Sequence, residues 1–212
     1  MLTFLALASF LVQDPFEDPH FGLAPAKIER LSVTQWMNHC EKQYGDGLPE
    51  YAIRGSLNTY SDLVDARIER LIAAKPADRQ AELRALPKAL AKYVLAMHEF
   101  EVAHAGGGTL YITTHAFRHA TSRMLVRDLL EGSLKDPGPR KVSDGTKALD
   151  ELAKHVPEAF YKPAAATALA DIRKAYKLTT DLLKNRTRKD SNAVIEFCVS
   201  AAKLDLFGAT VY

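Results

Sequence analysis

The chain has 212 residues, 47% hydrophobic and 25% charged, enough for a buried core in one domain or one and a half. A net charge of +2 gives no electrostatic case for a nucleic-acid partner, and no apolar run reaches the roughly 20 residues that a membrane-spanning helix needs. Cys40 and Cys198 are the only cysteines, and they form no Cys-x-x-Cys pair, which argues against a zinc knuckle or a thioredoxin-type centre.

Residues 1–12, MLTFLALASFLV, are uncharged and apolar but for Thr3 and Ser9. That is the length of a secretory h-region, although only the free amino terminus supplies the positive charge. Residues 1–13 are therefore expected to be a signal peptide, followed by a proline-broken linker over 14–31. No cysteine follows the apolar stretch, so a lipid anchor is not expected.

A first helix is predicted from about Pro25 to Tyr44, and a Ser32–Gln35 capping box would move its start later. Trp36, Cys40 and Tyr44 share one face, and Gly45 and Gly47 end the helix. Ser56 is the expected N-cap of a second helix carrying Leu57, Tyr60, Val64, Ile68 and Ile72. A charged helical piece over 78–86 meets Pro87, which either kinks it or opens the next helix.

From Ala89 to Leu130 two apolar helical stripes flank Gly106-Gly107-Gly108. Three glycines break a helix and tolerate positive φ, so an αα-hairpin is expected there, with its second arm ending at Glu131-Gly132. Asp136-Pro137-Gly138-Pro139-Arg140 is a firm boundary. Beyond it lie three more helical patterns: one capped by Ser143 or Asp144, one opened by Pro163, and one over 192–207 closed by Gly208. The only β-like run is 109–113. The predicted class is all-α, a helical bundle built on an αα-hairpin with additional C-terminal helices over 141–212.

Four of the seven histidines lie in the hairpin. His115 and His119 stand at i, i+4, a spacing that one metal ion bridges, and Glu101-Val-Ala-His104 has the Glu-x-x-His form of di-metal bundles. His98, Glu101, His104, His115 and His119 are thus a candidate metal set. Exposed or half-buried histidines flanking a turn are the plainer explanation. No Gly-x-Ser-x-Gly or His-Glu-x-x-His motif supports catalysis, no cofactor is expected, and the chain is read as a non-enzyme. In an exported protein Cys40 and Cys198 are disulfide candidates, a bridge that in the chain-entropy model adds roughly 4–5 kcal/mol. The acids of 14–50 suit either a basic partner or a solvated face.

Residues of about 32–132 resemble the lysozyme inhibitor LprI-like family of small exported helical domains. The resemblance rests on Met37-Asn38-His39-Cys40, on Leu57-Asn58-Thr59-Tyr60, and on Tyr93 in a long helix ending at Gly107-Gly108-Thr109. It closes on Thr121, Arg123, Arg127 and Leu130. The chain departs from the family pattern in three ways. No Asp stands just before Leu57-Asn58, the segment from Cys40 to Leu57 is longer, and His98 and His119 stand near the places of the family's hairpin cysteines.

The resemblance implies an exported, secreted or periplasmic protein that binds a protein partner, for the namesake a lysozyme-type hydrolase. The expected contact surface is the turn formed by Gly106, Gly107, Gly108, Thr109 and Tyr111. A metal-binding bundle using the hairpin histidines, and a structural envelope module, are the alternative readings.

Overall fold

A computed structural model describes residues 19–45 and 47–203, with the side chains of Thr109 and Leu110 excepted. The expected signal peptide, the start of the linker and Gly208 lie outside the described residues. Eight α-helices and no strand are present among those residues: α1 (Pro25–Ile28), α2 (Val33–Tyr44), α3 (Glu50–Ala73), α4 (Ala77–Ala105), α5 (Thr109–Glu131), α6 (Val142–Ala153), α7 (Lys162–Leu182) and α8 (Arg188–Ala201). A 3₁₀ turn, Val156–Glu158, joins α6 to α7.

The helix ends follow local chemistry. Ser32 Oγ accepts the Gln35 N–H at 3.1 Å and Gln35 Oε1 accepts the Ser32 N–H at 2.9 Å, which sets the start of α2 and leaves α1 as a separate short turn. Gly106 and Gly132 end α4 and α5 in the left-handed conformation, at φ 79° and 73°. Thr187 caps α8, one turn before the predicted start.

One local expectation is corrected and two ambiguities are resolved. Ser56 is not an N-cap: α3 begins at Glu50 behind Pro49, and Ser56 is buried inside it, its carbonyl accepting the Trp36 indole N–H at 2.8 Å. Of the two readings of Pro87, the opening of a new helix is excluded, because Pro87 lies within α4. The β-like run over 109–113 is the first turn of α5. The stretch read as linker also carries structure, since α1 lies in its last part and the Phe21 and Trp36 rings meet edge to face with centroids 5.8 Å apart.

Cross-helix bonds fix the directions. Thr113 donates to Glu50 at 2.8 Å and Arg123 pairs with Asp65 at 3.0 Å, so α3 and α5 run parallel. Arg84 on α4 pairs with Glu69 on α3, so α4 runs against both. The α4–α5 hairpin is present, yet the most extensive packing of α4 is against α7. There Tyr161 at the head of α7 bonds to the end of α4, and Tyr176 near its foot meets Tyr93 in mid-α4 at 6.4 Å. One continuous core runs from Ile28 to Ala202 and takes in both the hairpin and the C-terminal helices.

Arg127 on α5 ties the N-terminal turns down. It is 4% exposed, and its Nη1 donates to the carbonyls of Glu29 and Leu31 at 2.9 and 2.8 Å. The Glu29 carboxylate lies between Arg67 and Arg70. Burial opposes its ionisation, but the two guanidiniums outweigh that and lower its pKa. This acid is therefore committed to an internal ion pair and is not part of a free acidic face.

The candidate Cys40–Cys198 bridge is absent: both residues are buried free thiols. Cys40 sits on the core face of α2, and the Cys198 carbonyl accepts the Tyr93 hydroxyl at 2.8 Å. Burial pushes the Cys40 thiol up to about 12 and the Cys198 thiol higher still. Neither thiol should react with an aromatic disulfide reagent at pH 8 in the native protein, and both should react in guanidinium. Oxidised protein isolated without free thiols would contradict this structure.

Candidate functional site

The head of α3, the end of α4, the head of α5 and the head of α7 meet at one end of the bundle. The glycine turn lies at that end. Gly106, Gly107 and Gly108 all have positive φ, at 79°, 102° and 136°, which a side chain tolerates poorly. Thr109 begins α5. Tyr111 is half-buried, and a Cβ on Gly108 would lie 3.6 Å from its ring, so Tyr111 leans on the turn and does not project from a tip.

A segment that periodicity does not mark completes this end. The Phe160 and Tyr161 N–H groups donate to the carbonyls of His104 and Ala103 at 2.9 and 2.8 Å. These bonds satisfy two of the free carbonyls at the end of α4 from more than fifty residues away. They hold Phe160 across Gly106, whose Cβ, if present, would lie 3.4 Å from the ring. Phe160 nevertheless remains 70% exposed and Tyr161 54% exposed, and their rings meet edge to face at 4.7 Å. Ile112, 44% exposed, adds apolar surface on the first turn of α5.

The structure divides the five-residue metal set. Glu101 is 1% exposed and accepts from Arg118 Nη1 at 2.6 Å, so an internal cation already engages its carboxylate. His98 and His115 face each other across the hairpin with ring centroids 4.7 Å apart, and His119 follows at 6.2 Å from His115. His104 points elsewhere, stacked on Phe100 at 6.2 Å and edge-on to His155 at 5.9 Å. Among the described residues, the one group of three or more that could hold a metal ion is His104, His155 and Glu158. His155 and Glu158 had no sequence signal, because they are isolated in a polar turn and meet His104 only through the docking of α7.

Burial lowers the pKa of His115 to about 4, with His98 and His119 adding to the effect. Burial and Arg123 also lower that of His119, against Asp62. The unfolded chain therefore binds protons below pH 6.5 that the folded chain refuses. The contribution of these rings to stability is complete above pH 6.5 and is lost as pH falls toward 4. The melting temperature should drop across that window, and His115→Gln should flatten the drop. An identical pH profile in the variant would remove His115 as its source.

The chain matches no known family pattern, no curated protein and no solved structure.

Proposed function

We propose that this chain is an exported helical binding protein that presents the glycine-turn end of its bundle to a protein partner. Among partners, a cell-wall hydrolase of the lysozyme class is the one implied by the resemblance to LprI-like proteins. The observation that carries the reading is the exposure of Phe160 and Tyr161 on a segment pinned by two backbone hydrogen bonds beside Gly106. Aromatic side chains fixed in this way bury large area on binding at little cost in conformational freedom, and such residues dominate the energetics of interfaces. Among the described residues no helix is long and apolar enough to cross a membrane. The apolar segment at residues 1–12 supports export.

The test is a cell-wall lysis assay into which the chain from Asp14 onward is titrated. Stoichiometric inhibition of a muramidase is expected, weakened about thirtyfold by Phe160→Ala if this ring is an anchor of the interface. Tyr111→Ala should weaken it less, because that ring is half-buried. Inhibition unchanged by Phe160→Ala would move the surface elsewhere. Failure to inhibit animal-type and bacterial muramidases alike would discard the hydrolase as partner.

A further inference from the structure

The end of α4 carries a donor set distinct from the hairpin row of histidines. His104 lies in the last turn of α4, and His155 and Glu158 lie in the turn between α6 and α7. One ligand atom from each lies within 4.8 Å of the other two. His155 Nδ1 is 3.8 Å from Glu158 Oε2. The Nε2 of His104 is buried with no hydrogen-bond partner among the described residues, so no protein acceptor holds that atom.

We propose that His104, His155 and Glu158 form a binding site for a divalent transition metal, zinc being the best match. Two imidazoles and one carboxylate are a zinc donor set and leave a fourth position for water or a partner's ligand. Calcium and magnesium, which take oxygen ligands, are disfavoured by the two nitrogens. Zinc–ligand bonds of 2.0–2.1 Å in a tetrahedron set the ligand atoms about 3.4 Å apart. Spacings of up to 4.8 Å must therefore close by as much as about 1.4 Å.

Glu158, whose side chain is 74% exposed, has room to move toward the two imidazoles. The two histidines are more firmly placed. His104 is stacked on Phe100, and the backbone of His155 bonds to Leu152 at 3.1 Å and to Glu158 at 3.2 Å. The Phe160 and Tyr161 backbone bonds fix the turn against α4, so the site is largely assembled before an ion arrives. A cation there also lies at the negative end of the α4 dipole. Such an ion ties the end of α4 to the α6–α7 turn.

The experiment uses untagged full-length protein stripped with a chelator, with zinc titrated against a chromogenic competitor. One equivalent is expected to bind and to raise the melting temperature. His155→Ala should weaken binding by about tenfold or more and abolish the thermal shift. Glu158→Gln, at an exposed position that leaves the fold undisturbed, should weaken it in the same direction. His119→Gln should leave the affinity unchanged. No binding at about 100 μM zinc would overturn the proposal. So would binding that survives His155→Ala and Glu158→Gln but is lost in His115→Gln or His119→Gln.

Discussion

Glu101→Leu is expected to destabilise the protein by about 3–5 kcal/mol, lowering the melting temperature by on the order of 10 °C. Glu101 and Arg118 form a short ion pair of 2.6 Å between α4 and α5, with side-chain exposures of 1% and 9%. Removing the carboxylate leaves a buried guanidinium whose remaining hydrogen bond among the described residues is to the carbonyl of Lys203, at 3.3 Å. The penalty is dominated by that stranded charge and not by lost attraction. The double variant Glu101→Leu/Arg118→Met should therefore recover most of the loss. Denaturant titrations of the four proteins close the cycle. A Glu101→Leu change below about 1 kcal/mol, or a double variant as unstable as the single, would reject this account.

Gly145→Ala is expected to cost about 1–3 kcal/mol even though alanine is the better helix former. A Cβ at Gly145 on α6 would stand 2.1 Å from the Tyr176 hydroxyl oxygen and 2.2 Å from the adjoining ring carbon. Tyr176 has little freedom to retreat. It is 5% exposed, and its hydroxyl donates to the Val142 carbonyl at 2.7 Å. The glycine is what allows α6 and α7 to approach this closely. Gly55 on α3 is the control, because a Cβ there meets nothing within 4 Å and its φ is not positive. Gly55→Ala should stabilise by up to about 1 kcal/mol. The two changes have the same chemistry and opposite expected signs. A stabilising Gly145→Ala would show that the α6–α7 contact yields without cost.

Wherever one helix decides its own fate, the sequence is readable. The Ser32–Gln35 box, the glycine break at 106–108, the end at Gly132 and the boundary at 136–140 all follow from side chains within a few residues. The errors have tertiary causes. Ser56 looks like a cap because serine is a good one, yet its backbone serves Trp36 and the helix runs through it from Glu50. Pro87 leaves open whether a new helix starts there, and α4 continues through it, with Arg123 of α5 donating to its carbonyl at 3.3 Å.

The site was half legible. The glycine turn and the interest of the histidines are local facts. Which histidines meet is not. Helical spacing alone cannot foresee that Arg118 engages Glu101, or that His104 turns toward His155. Phe160 and Tyr161 have no periodic partner, so nothing local distinguishes an exposed pair from a buried one.

The dependence of α4 on α7 has a consequence for biosynthesis. A ribosome releases α3, α4 and α5 before α7 exists. The face of α4 that α7 will cover, and the carbonyls that residues 160 and 161 will bond, stay open while about fifty more residues are added. At ordinary elongation rates that interval is about 3–10 s. For those seconds the nascent chain carries an uncovered apolar helix face, a natural handle for a chaperone. A chain truncated after Arg140 would carry it permanently.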